Sequence, residues 1–318
     1  MNQFTLPPLK ERERQPNGAN LSGHVTPREL YAWCKVPGSE LEKHPERKVP
    51  FRLCRDSEAM GQLMARELVD EITAHNQLGE PTRAIIPCGP ICWYAPFTRL
   101  VNAEQVSLKN FVVFHMDECL DWQGRELPRN HPFNFRRYME ENFYAPIAPE
   151  LAVPPANRYW LNGSNVEAIQ TKIESVTIDI CYGGWGQDGH LAYNQARRHP
   201  YSQVTLDDLR HSTVRIQENN FDTILALAER NLGTAYQFIP PMSVTLGLKE
   251  VLSAKRVRVF SDTGAWKQTA LRIALFGPLT VEYPITLLQT HPDALITATV
   301  ATARHPISEH PEWDFGVE

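Results

Sequence analysis

From Val49 onward the chain alternates short apolar runs with longer segments in which apolar residues recur at helical spacing. The short runs predict β-strands, and the periodic segments predict helices of roughly 10 to 20 residues. The predicted strands are VPFRLC, TRAIIPCG, KNFVVFHMDE, VTIDICYGG, KRVRVFSD and DALITATV. Short strands separated by helices are typical of a parallel sheet that is covered on both sides. We therefore expect an α/β fold built on a single doubly wound, Rossmann-like, mostly parallel sheet with helices on both faces.

The predicted helices carry recognisable start signals. Asp56 is placed to cap the helix SEAMGQLMARELVDEITAHN, and Thr26 to cap a short helix at TPRELYAWC, in which Pro27 takes the first helical position. The other predicted helices are HPFNFRRYMEENFY, NVEAIQTKIES, SVTLGLKEVLSA and GAWKQTALRIALFG. Residues 1–48 are otherwise polar and interrupted by Pro and Gly. The pattern predicts an N-terminal extension at 1–48, an α/β domain at 49–303 and a C-terminal tail at 304–318.

Composition and charge limit the kinds of molecule that the protein is expected to bind. The chain has 318 residues, of which 42% are hydrophobic and 22% charged, and these are ordinary globular values. A net charge of −5 gives no electrostatic reason to expect nucleic acid. No apolar run approaches the roughly 20 residues of a membrane span, and the N-terminus lacks an apolar signal segment. Six scattered cysteines without a C-x-x-C pair fit a reducing compartment. We expect a cytoplasmic protein that binds a small molecule, not nucleic acid or a membrane.

Polar and glycine-rich turns follow four of the predicted strands. Ligands of doubly wound sheets bind beyond the carboxyl ends of the strands, so these turns are where chemistry is expected. One turn carries paired acids, another an acid and a histidine, and two contain glycine. They are Pro87-Cys88-Gly89, Met116-Asp117-Glu118, Gly183 to His190, and Ser261-Asp262-Thr263-Gly264.

The turn in CYGGWGQDGHLAYNQ contains a G-x-G-x-x-G pattern at Gly184, Gly186 and Gly189. After a strand, this pattern is the fingerprint of a dinucleotide-binding turn, provided that a helix opens at the third glycine. Here the chain reaches Pro200 within eleven residues, and the preceding strand is at least the fourth of the sheet. Dinucleotide binding, and with it a dehydrogenase, is therefore the weaker alternative for this turn.

Several side chains in these turns are suited to proton transfer. A histidine side chain in general suits proton transfer near neutral pH, and Asp188 is close enough in sequence to orient His190. Asp117 ends an apolar strand, where desolvation raises the pKa of a carboxyl and makes it a plausible base. Each has a structural alternative: His190 as a residue whose ring satisfies backbone groups, and one of Asp117 and Glu118 as a helix cap or a solvated loop residue. His115 is expected to pack within its strand.

Lys267 follows the turn SDTGAW and is predicted in the first turn of a helix. A lysine there adds its charge to the helix N-terminal amides and can hold an anion. The alternative is a solvated surface lysine.

Taken together, these segments resemble the glucosamine-6-phosphate deaminase/isomerase family, the relatives of 6-phosphogluconolactonase. The resemblance covers about Val49 to Ala303. The lactonase branch would carry arginine where this chain has Cys119. The motifs that carry the resemblance are HMDE (115–118), NHPFNFRRYMEENF (130–143), GGWGQDGHLAYN (183–194), TLGLKEVLSAKRV (245–257) and LLQTHPDALI (287–296).

The resemblance implies a mechanism. His190 would open the pyranose ring by moving a proton at the ring oxygen, with Asp188 polarising it. Asp117 would move a proton between C2 and C1, and a 2-amino sugar would then lose ammonia. Glu118 and Gln195 would support this chemistry, no metal or nucleotide cofactor is implied, and both monomers and homo-oligomers occur in the family. The implied sugar-phosphate cradle consists of Cys88, Gly89, Gly184, Gly186 and Lys267.

The chain departs from the family pattern at three places. Family deaminases read A-F-N-E-P after the histidine, and here Gln195 replaces the glutamate, so it cannot ionise. The phosphate turn P-T-G-S-T-P is replaced by residues 87–92, PCGPIC, which lacks the hydroxyl side chains. An arginine expected in residues 216–222 has no equivalent; Phe221 aligns there, although Arg215 is close.

These departures leave two hypotheses open. The first is an amino-sugar phosphate deaminase/isomerase-like enzyme of carbohydrate metabolism, or an isomerase of a non-standard sugar derivative. The second is a catalytically impaired, regulatory protein that binds a sugar or sugar phosphate.

Overall fold

The computed structural model describes residues 25–196 and 204–317. The strands within these ranges are β1 (Phe51–Cys54), β2 (Thr82–Ile86), β3 (Phe111–His115), β4 (Asp117–Leu120), β5 (Arg158–Tyr159), β6 (Ile180–Gly183), β7 (Arg215–Glu218), β8 (Met242–Thr245), β9 (Arg256–Ser261) and β10 (Ala294–Thr299). The helices are α1 (Pro27–Cys34), α2 (Ser57–Leu78), α3 (Tyr94–Glu104), α4 (Phe135–Met139), α5 (Val166–Glu174), α6 (Leu206–Arg210), α7 (Phe221–Asn231), α8 (Leu248–Leu252), α9 (Gln268–Phe276), α10 (Val300–Ala303) and α11 (Pro306–Glu309).

Seven strands form one parallel sheet in the order β1-β10-β9-β6-β2-β3-β5. From β2 the chain winds to one side through β3 and β5. It then returns to β6, beside β2, and winds to the other side through β9 and β10. The winding therefore reverses between β2 and β6, which is the point at which such sheets bind ligands. The predicted doubly wound α/β fold is confirmed.

Both faces of this sheet are covered. Along β2, Ile85 packs into one apolar cluster, whereas Ala84 and Ile86 pack into another, because successive side chains of a strand point to opposite faces. The first cluster is closed by residues of α5, α8 and α9, and the second by residues of α2 and α3. The predicted placement of helices on both faces is thus confirmed.

A second sheet was missed in the sequence. It is antiparallel, has the order β4-β8-β7, and pairs Asp117 with Thr245. The segment KNFVVFHMDE was expected to be one strand, but it divides at Met116 into β3 and β4, which lie in different sheets. The helix expected over SVTLGLKEVLSA is wrong in its first part, since Met242–Thr245 is a strand and helix α8 begins only after Gly247.

The other helix boundaries follow local signals. Thr26 and Asp56 accept hydrogen bonds from the backbone N–H groups of Glu29 and Ala59, and therefore cap α1 and α2 as predicted. The helix expected over 131–144 begins at Phe135 and continues from α4 into a π-helical turn, Glu140–Tyr144. Helices α3 and α7 were not predicted.

The segment from Val25 to Lys48 lies against the α/β domain. Cys34 and Leu41 are buried, helix α1 contacts α9 and α11, and the Lys48 N–H donates to the carbonyl of Leu275. The first 24 residues of the predicted extension lie outside the described residues, and the division at 49 and 303 stays a prediction. No helix in the described part of the chain has the length and apolar character needed to cross a membrane.

Candidate active site

A pocket of about 600 Å³ opens at the carboxyl ends of β2, β3, β6 and β9. These four strands are consecutive neighbours in the sheet, so the turns that follow them meet at one edge. The pocket is lined by residues from all four turns selected in the sequence. Of the predicted site residues, those that line it are Asp117, His190, Cys88, Gly89, Gly184, Gly186 and Lys267. Asp188, Glu118 and Gln195 are buried behind this lining.

Asp117 lies where the chain passes from the large sheet into the small one. It is the first residue of β4, two residues beyond the end of β3, and its side chain lines the pocket. Burial raises the pKa of the Asp117 carboxyl to about 7, and the charge of nearby His190 opposes this rise. The result is a carboxyl that exchanges protons readily near neutral pH.

His190 is held by Asp188. Its Nδ1 lies 2.6 Å from Asp188 Oδ1, and the aspartate is almost completely buried. Burial opposes ionisation of Asp188, but the charge and hydrogen bond of His190 outweigh it and lower the pKa of this carboxyl. An ionised Asp188 accepts a hydrogen bond from the N–H group at Nδ1, which leaves Nε2 as the ring nitrogen available to a ligand.

Two glycines shape this turn. A methyl group on Gly186 would overlap the imidazole of His190, so the ring can occupy its place only above a residue without a Cβ. Gly189 has φ of +72°, in the left-handed region that favours glycine. Residues 190–196 then form turns and isolated bridges and not a helix. The G-x-G-x-x-G pattern therefore lacks the helix that a dinucleotide-binding turn requires; residues 197–203 lie outside the described ranges.

Tyr193 is a site residue that was not singled out from the sequence. Its ring is nearly parallel to that of His190, with the centroids 6.0 Å apart, and its hydroxyl lies 3.4 Å from Cys119 Sγ. It also lines the pocket. Tyr193 occupies the phenylalanine position of the family's A-F-N-E-P, so the hydroxyl was visible in the sequence as a departure.

Glu118 makes the contacts of a helix cap. Its carboxylate accepts hydrogen bonds from the backbone N–H groups of Cys119, Phe135 and Arg136, the last two being the first residues of α4. Burial raises the pKa of Glu118 to about 7, while these three donors act in the opposite direction. Of the two adjacent acids, it is Glu118 that fits the helix-capping alternative.

Gln195 contacts helix α7 through both atoms of its amide. Its Oε1 accepts from the N–H of Asn220 at 2.8 Å, and its Nε2 donates to Thr223 Oγ1 at 2.7 Å. The side chain is buried and does not line the pocket. Gln195, which stands where the family has glutamate, therefore connects the turn that contains His190 to α7.

Lys267 is a buried lysine, so the surface alternative is wrong. It is only 7% exposed and ends a 3-10 turn, Ala265–Lys267, directly before α9, not in the first turn of an α-helix. Burial, together with the charge of Arg230, lowers the pKa of Lys267 to about 7, whereas the negative charge of Asp262 raises this pKa. Its Nζ lies 4.4 Å from the centroid of the Trp266 ring.

Some of the remaining lining residues were predicted from the sequence, and others were not. Cys88 lines the pocket with a half-buried thiol, and desolvation raises the pKa of that thiol well above its usual value. Arg215, the arginine nearest to the position expected by resemblance, is not in the lining. Lining residues that were not predicted from the sequence include Trp185, Thr223, Arg230 and Trp266.

His115 packs as expected. Its ring is stacked on Trp160 with centroids 3.4 Å apart, and its Nε2 lies 3.0 Å from the Tyr144 hydroxyl. Among the described residues, no group of three or more His, Cys, Asp and Glu side chains has the arrangement of a metal site.

Comparisons with known proteins identify relatives of this chain. A glucosamine-6-phosphate deaminase of Aliivibrio fischeri is 31% identical over 250 residues, which are 76% of this chain and 86% of the relative. The corresponding enzyme of Aeromonas hydrophila is 29% identical over 252 residues, 76% of this chain and 87% of the relative. No family model matches the chain.

Solved structures share the fold. A monomeric glucosamine-6-phosphate deaminase superposes with a TM-score of 0.67 at 21% identity, covering 80% of this chain and 98% of that one. A 6-phosphogluconolactonase of Thermotoga maritima gives a TM-score of 0.53 at 14% identity, covering 78% and 98%. The identity and coverage of the Aliivibrio relative show that this chain belongs to the glucosamine-6-phosphate deaminase family.

Proposed function

We propose that this protein is a deaminase and isomerase of a 2-amino sugar phosphate such as glucosamine 6-phosphate. The observation that carries the proposal is that a carboxyl with a pKa of about 7, Asp117, and an aspartate-held histidine, His190, line the same pocket. A general base works best when its pKa is near the working pH, and ring opening requires a second group that moves a proton at oxygen. The curated relatives named above support the substrate class.

Ring opening falls to His190 in this proposal. Nδ1 is engaged by Asp188, so Nε2 would carry the proton to the ring oxygen as the bond between that oxygen and C1 breaks. Once Nε2 has given up its proton it can take the proton of the C1 hydroxyl, and an open-chain aldehyde forms. The ionised Asp188 holds the ring through Nδ1 while these protons move.

Isomerisation falls to Asp117. Its carboxylate would take the proton from C2 while O1 takes a proton from His190, giving an enolamine. Asp117 would then deliver a proton to C1, giving a ketose imine at C2, and exchange of the carboxyl proton with solvent between the two steps would bring deuterium to C1 in D₂O. Water then adds to the imine carbon, and ammonia leaves with the ketose phosphate as the other product. A single carboxylate can serve both steps because C1 and C2 are adjacent and the protons leave and arrive on the same side.

The test is solvent exchange. In D₂O the wild type is expected to incorporate deuterium at C1 of the ketose product from glucosamine 6-phosphate and to release ammonia. Asp117→Asn should abolish both while leaving binding of the sugar phosphate largely intact, because the amide keeps the shape but cannot take a proton. Asp70→Asn, an exposed aspartate on α2, is the control and should behave as the wild type. Exchange retained in Asp117→Asn would remove Asp117 from this role.

A second candidate function is sugar binding without efficient catalysis. It is favoured by one observation: the Gln195 amide bonds to α7 and cannot ionise, in contrast to the family glutamate. The same experiment separates the candidates. A sugar phosphate that binds the wild type without any exchange of a carbon-bound proton would support the binding protein and overturn the enzyme.

A further inference from the structure

We propose that Arg230 of helix α7 and Lys267 together hold the phosphate group of the substrate, and that Trp266 positions both. The inference rests on the proposed function for the identity of the ligand. It concerns a binding residue, Arg230, that lies outside the segment in which the family resemblance expects an arginine.

The two cations share one aromatic ring. The guanidinium carbon of Arg230 lies 3.6 Å from the centroid of the Trp266 ring, and Lys267 Nζ lies 4.4 Å from the same centroid. Lys267 Nζ is also 5.4 Å from the centroid of Trp185. All four residues line the pocket. Cations over an aromatic face are attracted by the ring, which holds the two charges at this wall of the pocket.

This pair of cations makes no ion pair within the described part of the chain, since neither Arg230 nor Lys267 has a carboxylate oxygen within 4.0 Å there. Asp262, which also lines the pocket, acts on Lys267 from a greater distance and favours its ammonium form. Burial and the charge of Arg230 both disfavour that form and have the larger effect. Two like charges that face one pocket repel each other, and an anion bound between them reduces that cost. A phosphate carries close to two negative charges at neutral pH and so matches the pair.

The Arg230 side chain has hydrogen-bond donors that a ligand can use. Its Nε donates to the carbonyl of Ala226, one turn earlier in α7, at 2.9 Å. That bond and the Trp266 ring fix the plane of the guanidinium, which leaves the two terminal amino groups for a ligand. Their fork geometry matches two oxygens of a phosphate, whereas the ammonium of Lys267 acts as a single point of charge.

The rest of the pocket explains why a second cation is needed. The turn at residues 87–92 offers a half-buried thiol, Cys88, where related phosphate turns have hydroxyl groups. Phe221, the residue aligned with the expected arginine, is 61% exposed at the start of α7. Arg230 lies at the other end of the same helix and reaches the pocket from there.

The experiment uses the full chain and two probes. Inorganic phosphate is titrated into the wild type, Arg230→Met and Arg99→Met by calorimetry. Arg99 is an exposed arginine on α3 outside the pocket lining and serves as the matched control. Because a charge-assisted hydrogen bond is involved, Arg230→Met should weaken phosphate binding roughly ten- to a hundredfold, and Arg99→Met should not change it. Arg230→Lys, which keeps the charge but not the fork, should recover part of the loss.

The second probe is glucosamine 6-phosphate compared with glucosamine. Arg230→Met should raise KM for the phosphorylated sugar at least tenfold more than it raises KM for the free sugar. Phosphate affinity equal to that of the wild type in Arg230→Met, at an unchanged melting temperature, would overturn the inference. A wild type that binds no inorganic phosphate would overturn it too. If Arg230→Met weakens phosphate binding but no sugar is turned over by the wild type, the phosphate site stands and the proposed function fails.

Discussion

Asp117 and Lys267 are buried groups in one pocket whose pKa values move in opposite directions for the same reason. Burial penalises the charged form, which is the carboxylate of Asp117 and the ammonium of Lys267, so one pKa rises and the other falls until both are about 7. The proposed chemistry needs both groups charged at once. Asp117 must be deprotonated to take a proton, and Lys267 must be protonated to hold an anion.

A bell-shaped pH profile of kcat/KM follows from these two values. Activity should rise with pH as Asp117 ionises and fall as Lys267 loses its proton, with the maximum near pH 7. The substrate phosphate, whose second pKa is about 6, contributes to the rising side. The falling side also depends on the proton that His190 donates, so it is assigned to Lys267 by substitution. In Lys267→Arg the guanidinium stays charged, and the falling side should move to higher pH. A falling side unchanged by this substitution would separate Lys267 from the pH dependence.

Gln195→Glu tests whether the departure from the family glutamate limits the reaction. A glutamate at this position can accept from the Asn220 N–H and, after the hydroxyl turns, from Thr223. Its charge would lie at the N-terminus of α7, where negative charge is favourable. We expect it to stay bound to α7 and to change kcat by less than about threefold, or about 0.7 kcal/mol of barrier. A gain of tenfold or more would show that the carboxylate reaches His190 and that catalysis in the wild type is impaired.

The sequence was sufficient for residues that are close together along the chain and insufficient for those brought together by the fold. The four turns could be selected because each follows an apolar strand, and Asp188 and His190 are separated by one residue. Arg230 was missed because α7 was missed, although FDTILALAERN has apolar residues at helical spacing after Asn220. Its proximity to Lys267 depends on how α7 packs, which no local pattern specifies.

At the scale of elements, the same distinction explains the missed second sheet. The predicted strand that contains β3 continues into β4 without a Gly or Pro turn signal, and only the pairing of Asp117 with Thr245 in β8 turns the chain into a new sheet. That partner is more than a hundred residues away in sequence. Thr245 also donates its hydroxyl to the carbonyl of Leu246, and accepts from the N–H of Tyr193, so this sheet positions both Asp117 and the residues after His190.

The glycine turn between β6 and Tyr193 is the element whose geometry the site depends on most. In Gly186→Ala the new methyl group would overlap the imidazole of His190, so the ring must leave its bond to Asp188. We expect kcat to fall roughly a hundredfold or more, because that is the usual contribution of a general acid or base to the rate. The free energy of unfolding should fall modestly. The chemical shift and titration of His190 by NMR would report the displaced ring directly.

Gly184→Ala provides the control for that substitution. A Cβ at Gly184 would lie 3.5 Å from the carbonyl oxygen of Gly89, which is ordinary contact, and its φ is not in the left-handed region. The His190 resonance should therefore stay close to that of the wild type. If both variants shift His190 equally, the turn responds to any side chain and the steric role assigned to Gly186 is wrong.

At the scale of the whole molecule, the segment before Val49 shares the core of the α/β domain. Leu41 is fully buried in the cluster that contains residues of β1 and α9, and His44 packs on the ring of Phe276 at 4.8 Å. Arg272 of α9 donates to the carbonyl of Val36, and Tyr31 donates to that of Trp313 near the other terminus. The described part of the predicted extension and the predicted tail are thus joined to each other and to α9.

Leu41→Ala measures whether this segment folds with the domain. If it does, removal of a fully buried leucine should lower the free energy of unfolding by about 2–5 kcal/mol. Leu78→Ala, at a residue 71% exposed at the end of α2, is the matched control and should change it by less than about 0.5 kcal/mol. Urea unfolding at constant m-value compares the two, and activity at 25 °C should be kept in both, since neither residue lines the pocket. Equal midpoints would mean that the cooperative unit begins near Val49, as the sequence pattern suggested, and that Leu41 packs on it without contributing to its stability.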